Sequence, residues 1–306
     1  FTRQGEIETR SQELLNSIRE IQKKFPVEKK ERAPIREELL WHYPEAGDEL
    51  FRLMLKTIES AKKKIFLLMY SLSNAAIMDM LEKKQSQGVK VRLFVDKDAF
   101  KDARQTIGKE IRVVTVDSKG LMHLKICVID SMRVLFGSCN LTTQSMKIDQ
   151  NLMTEISSKP LAKHVKTYAK YLSLEEKDQK KYSDISILLS DNEKLQFSFV
   201  QQQLSEKEKI VQLLNGAKKT IAIAMFTFTD KSLLDACIAA KDRGVDVQVI
   251  LDGNQAQHKN TGLLTVERLK KHSIEVVTSK AQSRKLMHHK ICLIDKNTFI
   301  YGSTNW

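Results

Sequence analysis

The sequence predicts an α/β protein made of two pseudo-symmetric β-α-β repeats, mixed sheets flanked by helices and joined along a shared cleft. Three observations carry that prediction. Residues 59–96 ("ESAKKKIFLLMYSLSNAAIMDMLEKKQSQGVKVRLFVD") match residues 215–252 ("NGAKKTIAIAMFTFTDKSLLDACIAAKDRGVDVQVILD") without a gap, aligning Ala61 with Ala217, Gly88 with Gly244 and Asp96 with Asp252. Within each copy, short apolar runs alternate with segments of helical spacing, the order that implies a parallel sheet packed against helices. Each copy then closes on nearly the same hairpin, "MHLKICVIDSMRVLFGSCNLT" at 122–142 and "MHHKICLIDKNTFIYGSTNW" at 287–306.

Taken in chain order, residues 1–44 read as an N-terminal helical extension, with Leu14, Leu15, Ile18 and Ile21 at helical spacing. Repeat 1 covers 45–172 and repeat 2 covers 205–306, where the chain stops at Trp306 before the last strand and helix of the first repeat have counterparts. The Ile/Leu/Val-rich runs 65–72 and 221–228 are too short for helices and too apolar for edges, so they predict buried strands. Helices come next, with Ile77, Met80 and Leu81 in one copy and Leu233, Leu234 and Ile238 in the other. Each ends at a glycine, Gly88 or Gly244, placed for a left-handed C-cap. Second strands are expected at 89–95 and 245–251, and third strands near 111–116 and 274–278. Between the repeats, 173–204 reads as a connection, since "SLEEKDQKKYSD" at 173–184 is polar and aperiodic.

Composition narrows the class. The 306 residues are 42% hydrophobic and 29% charged, which is globular, and no apolar run approaches the ~18–20 residues of a membrane span. That predicts a soluble chain, while the start at Phe1 leaves open a leader or anchor ahead of it and so a membrane-associated or exported form. A net charge of +13 points to an anionic partner, a phospholipid surface or nucleic acid. Cys127, Cys139, Cys237 and Cys292 lie in no metal-like spacing and read as small buried hydrophobes in the reduced state. Lys62, Lys63 and Lys64, like Lys218 and Lys219, read as solvated helix-end charges.

The chemistry sits in the hairpins. Both fit H-x-K-x(4)-D-x(6)-G-S-x-N without a gap. Residues i and i+2 of a strand share a face, so His123 is a neighbour of Lys125 and His288 of Lys290. In the return strands Ser138 pairs with Asn140, and Ser303 with Asn305. The apolar residues between them predict a hairpin buried on both sides, where polar groups need partners. Together the two hairpins would gather two His, two Lys and two Asn into one donor-rich, positive pocket suited to a phosphate. Lys125 and Lys290 offer charge to nonbridging oxygens; Ser138, Asn140, Ser303 and Asn305 offer dipoles. One imidazole can attack phosphorus while the other serves as acid and base, with no metal or cofactor required.

The paired motifs resemble the phospholipase D superfamily, across roughly 45–160 and 205–306. The resemblance implies a metal-independent phosphohistidine mechanism, with His123 as nucleophile and His288 as acid/base. It implies that Asp130 and Asp295 support the fold, and that one chain, with both motifs, needs no second copy. Members usually carry a Glu about a dozen residues after the motif Asn that orients the histidine. Here "KIDQNLMTE" offers Asp149 as the candidate, with Gln150, Asn151 and Glu155 nearby. The leading substrate reading is a phospholipid headgroup diester, hydrolysed or transferred, with peripheral membrane contact. A metal-independent endonuclease is the alternative, favoured by the charge and by similarity to the short endonuclease and cardiolipin-hydrolase branch. A non-catalytic anion-binding scaffold is the third reading. His289 reads as packing, and His42, His164, His258 and His272 have no motif context.

Overall fold

The computed structural model describes residues 39–43, 48–99, 107–117, 121–174, 182–190, 192–200, 205–281 and 284–306. The amphipathic segment expected at 7–24 and most of the polar stretch at 173–184 lie outside the described residues. The described residues form two compact units, 39–200 and 205–306.

The first unit runs β1 (Leu39–His42), α1 (Glu49–Glu59), β2 (Lys64–Met69), α2 (Ala75–Ser86), β3 (Lys90–Asp96), β4 (Arg112–Val116), β5 (Lys125–Ile129), β6 (Arg133–Gly137), α3 (Thr143–Lys147), β7 (Met153–Ser157) and α4 (Lys159–Tyr171). Seven strands form one sheet in the order β1-β7-β6-β5-β2-β3-β4. β2, β3 and β4 are parallel, while β5 returns antiparallel beside β2, with Met69 opposite Lys125. Residues 39–42, which the sequence places in a helical extension, instead form the edge strand against β7. The connection at 173–204 also holds structure: β8 (Ile185–Ser190) and β9 (Glu193–Phe197) make a two-stranded sheet. Phe197 and Phe199 join it to α4, the Phe199 ring stacking 3.7 Å from Tyr168.

The second unit repeats the plan: α5 (Ser205–Gly216), β10 (Thr220–Met225), α6 (Lys231–Asp242), β11 (Asp246–Leu251), α7 (Gly253–Ala256), α8 (Gly262–Lys271), β12 (Glu275–Thr278), β13 (Lys290–Ile294) and β14 (Thr298–Tyr301). Its sheet order, β12-β11-β10-β13-β14, reproduces β4-β3-β2-β5-β6 of the first unit. The nine residues by which the second copy is longer fall between β11 and β13, the region holding α7 and α8.

Local chemistry explains these elements. Asn74 and Asp230 cap α2 and α6, their side chains accepting the backbone N–H of Ile77 and of Ser232 and Leu233. Gly88 and Gly244 end the same helices at φ 85° and 87°, a conformation that costs a residue with a Cβ about 1 kcal/mol or more. Ile77, Met78 and Leu81 face one core; Leu233, Leu234 and Ile238 face the other. β5 and β13 are buried along their whole length, each buried Ile or Leu contributing about 1.5–3 kcal/mol. The return strands differ. β6 is covered by β7, but among the described residues β14 has no outer neighbour, and its side chains stay half-buried. All four cysteines are buried and free.

Candidate functional site

The motif histidines do not stand on the strand faces expected of them. β5 begins at Lys125 and β13 at Lys290, so His123 and His288 lie in the segments that lead into them. Ser138, Asn140, Ser303 and Asn305 likewise lie beyond the ends of β6 and β14. The expected strands at 65–72 and 221–228 also stop early, at Met69 and Met225. Past those residues the chain continues as buried loop: Tyr70 donates its N–H to the Leu124 carbonyl and Phe226 donates to that of His289. The apolar pattern runs on because the loop is covered, Leu72 and Phe228 being 0% and 2% exposed.

Three segments therefore meet at the C-terminal end of the parallel strands, the usual ligand end of such sheets. In the first unit they are 70–74, 122–125 and 138–141. Leu141 ties the first to the third, donating to the Ser71 carbonyl and accepting from Ser73 and Asn74 N–H. In the second unit Trp306 stands where Leu141 does, donating to Thr227 and accepting from Thr229. Its indole packs edge-on against Phe228.

Each meeting point has the same inner geometry. Lys125 Nζ donates to the His123 carbonyl at 2.9 Å, and Lys290 Nζ to the His288 carbonyl at 2.8 Å. Each ammonium also lies over an aromatic ring, Tyr70 at 4.9 Å and Phe226 at 4.8 Å. The same rings pack against the motif imidazoles, 4.7 Å from His123 and 4.8 Å from His288. Sequence reasoning missed Tyr70 and Phe226. The signal was available, since they occupy the same position of the repeat and are aromatic in both copies.

Lys125 is 1% exposed, and burial pulls its ammonium down from 10.5 to about 7 despite the nearby Cys139 and Asp96. A buried cation with one hydrogen-bond acceptor keeps donor capacity for an incoming anion. Asn140 and Asn305 add to it: in each, Oδ1 is buried without a partner among the described residues. An amide rotated by a half-turn presents NH2 in the same place, so this position can accept from a hydroxyl or donate to an anion's oxygen.

Ser138 takes a different role from the phosphate contact expected of it. It is 2% exposed, donates its hydroxyl to Asn151 Oδ1 at 2.8 Å and accepts the Leu152 N–H at 3.0 Å. Asn151 in turn donates to the carbonyl and hydroxyl of Ser145, whose hydroxyl accepts the Asn140 N–H. This chain of bonds braces the backbone of Asn140. Ser303, in the second unit, is half-buried. Asp149 is buried after α3 and accepts from Gln144 Nε2 at 2.7 Å. Glu155 lies in β7, where it accepts from Arg133 Nε at 2.7 Å and stands 3.7 Å from the His42 ring; these two neighbours outweigh burial and hold its carboxyl down at about 2.

The motif aspartates sit at the opposite end of the hairpins. Asp130 and Ser131, and Asp295 and Lys296, take φ of 50–61° in tight turns that close on Met132 and Asn297. The Asp130 carboxylate accepts the backbone N–H groups of Lys62, Lys63 and Lys64 at 2.7–2.9 Å. Asp295 does the same for Lys218, Lys219 and Thr220. Lys62, Lys63, Lys218 and Lys219 therefore lie in the bends before β2 and β10, and Lys64 opens β2; their main chain anchors the hairpins, and they are not helix-end charges. The motif glycines diverge. A Cβ on Gly137 would stand 2.1 Å from the Leu152 carbonyl, whereas one on Gly302 would meet open space.

His289 is 9% exposed, its Nδ1 has no partner among the described residues, and burial lowers its imidazole to about 4. His42 pairs with Glu155, and His258 bonds to Thr261 through Nδ1.

Each unit of this α/β fold thus carries a His–Lys–aromatic cluster at the C-terminal end of its parallel strands. The family model described as "Cardiolipin synthase, PLD-like domain" matches residues 54–173 and 210–306, and the chain belongs to that phospholipase D-like family. A mitochondrial cardiolipin hydrolase of Chlamydomonas reinhardtii is 29% identical over 98 residues, 32% of this chain and 42% of that protein. A phospholipase D of Rickettsia conorii is 30% identical over 123 residues, 39% of this chain and 60% of that protein. The chain thus spans about half the length of the curated relatives it matches. Among solved structures, phosphatidylserine synthase of Haemophilus influenzae shares the fold with a TM-score of 0.60 at 15% identity, over 83% of this chain and 76% of that one.

Proposed function

We propose that this protein is a phosphodiesterase that hydrolyses or transfers the headgroup diester of a phospholipid through a covalent phosphohistidine. The observation that carries the proposal is the duplicated pair of buried lysines, each bonded to the carbonyl of a motif histidine and each roofed by an aromatic ring. A buried ammonium costs several kcal/mol, a cost offset when an anion enters. The activities for which the relatives are named, phospholipase D and cardiolipin hydrolase, favour a lipid diester over a nucleic acid.

In this reading the motif residues take the roles that the family resemblance assigns them. His123 attacks phosphorus, the P–O bond to the leaving alcohol breaks, and His288 gives that oxygen its proton. His288 then takes a proton from water or an alcohol, which attacks phosphorus and frees His123. Lys125, Lys290, Asn140 and Asn305 hold the nonbridging oxygens as charge shifts onto them.

The test is turnover with EDTA present. Phosphatidylcholine vesicles, cardiolipin vesicles and a single-stranded oligonucleotide are each incubated with the full chain and with His123→Ala and His288→Ala. Lipid cleavage lost in both variants, with an acid-labile phosphoryl adduct trapped on histidine, is the expected result. Cleavage of the oligonucleotide alone would replace the lipid reading by the nuclease one. Turnover surviving His123→Ala would refute the mechanism.

A further inference from the structure

The two aspartates that end the second parallel strands, Asp96 in β3 and Asp252 after β11, belong to no motif. They occupy the same position of the repeat and accept the same three backbone N–H groups. One oxygen of Asp96 accepts the N–H groups of Asp98 and Ala99, both at 3.0 Å, and the other accepts the N–H of Met122 at 2.9 Å. One oxygen of Asp252 accepts the N–H groups of Asn254 and Gln255 at 3.0 and 3.1 Å, and the other that of Met287 at 3.0 Å, with the Ser279 hydroxyl beside it at 3.5 Å. Met122 and Met287 are the residues immediately before His123 and His288. Both carboxylates are deeply buried, at 4% and 1% exposure.

A buried carboxylate that accepts three backbone N–H groups is a rigid clamp, because each charge-assisted bond fixes a direction as well as a distance. Here the clamp joins the end of one strand to the entry of another, across 26 and 35 residues of chain. We propose, on the phosphodiesterase reading above, that Asp96 and Asp252 are positioning residues, which set where the motif histidines stand by holding the backbone one residue ahead of each. The main-chain carbonyl of the same histidine is the acceptor of the buried lysine, so the clamp also fixes the lysine.

A second consequence is electrostatic. Lys125 faces Asp96 from β3, Cys139 from the loop after β6, the Tyr70 ring from the end of β2 and the His123 carbonyl. Asp96 and Cys139 hold the lysine ionisation up against burial. Cys139 is itself buried and driven up to about 12, so near neutrality Asp96 is the charge that acts.

The test is Asp96→Asn in the full chain. The amide oxygen keeps the turn bonds to Asp98 and Ala99, while the amide NH2 meets the Met122 N–H donor to donor. Three readouts are expected to move. Lipid turnover falls at least tenfold in kcat with KM little changed. The Met122 amide, protected in the wild type, exchanges at least tenfold faster. The Lys125 ionisation, followed by NMR of 15Nζ-labelled lysine and assigned through Lys125→Met, shifts down by half a pH unit or more. A merely structural aspartate would leave that ionisation in place. A folded Asp96→Asn protein with unchanged kcat, or with both NMR readouts unmoved, overturns the proposal. Should the variant not fold, Met122 exchange in the wild type decides, since an unprotected amide overturns it. If the wild type cleaves no phosphodiester, the function above is lost, while the amide and lysine signals still judge the clamp.

Discussion

Lys125→Met should make the protein more stable while abolishing turnover, and the gain should disappear as pH rises. In the unfolded chain the lysine ionises near 10.5; folded, burial brings it to about 7. The unfolded state therefore binds more protons between those values, so wild-type stability climbs with pH across that window, by up to about 1.4 kcal/mol per unit. Below pH 7 the full penalty is present; above 10.5 it is gone. The size is about 4 kcal/mol at pH 7, about 2 at pH 9 and under about 1 at pH 10. Methionine matches the buried stem but leaves the His123 carbonyl without its partner, a loss of about 1 kcal/mol. The net expectation is a variant about 3 kcal/mol more stable at pH 7 and level with the wild type near pH 10. Urea denaturation of both proteins at pH 7, 9 and 10 measures it. A variant less stable at pH 7, or a difference that does not change with pH, would refute the assignment of Lys125 as a cation held at a desolvation cost for the sake of its anion.

Asp130→Asn should lower stability by about 1–2 kcal/mol, because an amide accepts the three lysine N–H groups less strongly than a carboxylate. The bonds outweigh partial burial and depress the Asp130 ionisation. Its contribution is present above the unfolded value of 3.8 and lost as pH falls through the lower folded one, a loss that acid titration of the variant should lack. Gly137→Ala should cost about 3 kcal/mol, since its Cβ would collide with the Leu152 carbonyl, while Gly302→Ala meets open space and should change thermal stability little. His289→Leu, which copies Leu124 of the first repeat, should remove an acid sensitivity. Burial holds His289 at about 4, so the wild type loses about 3 kcal/mol as pH falls from 6.5 to 4. Circular dichroism melts across that range should show the wild type declining more steeply than the variant. Tyr70→Leu should reduce turnover at least tenfold, by removing the ring under Lys125 and beside His123, with the sheet intact by far-UV circular dichroism.

The alternation of strands and helices, the twofold repeat and the two motifs were legible in the residues alone. Local rules suffice for them: helix caps and left-handed glycines act within a few positions, and a gapless repeat needs no structure to be seen. Strand ends were less legible. The runs at 65–72 and 221–228 read as unbroken strands because apolar residues mark burial, and burial continues into the loop at Leu72 and Phe228. The N-terminal strand at 39–42 was missed because four residues carry too little periodicity, and only pairing with β7 makes them a strand.

For the site, sequence spacing determined which residue types recur together: His with Lys, Ser with Asn, and Asp at the turn. Tertiary structure decided what each side chain does, because partners distant in sequence set those roles. Ser138 gives its hydroxyl to Asn151, and Asp130 gives its carboxylate to the main chain of 62–64. Tyr70 and Asp96 are brought against the histidine segment by the antiparallel return of β5 beside β2. A strand that reverses direction places its first residue beside the last residue of its neighbour. Spacing within one motif cannot encode that adjacency, whereas the fold fixes it.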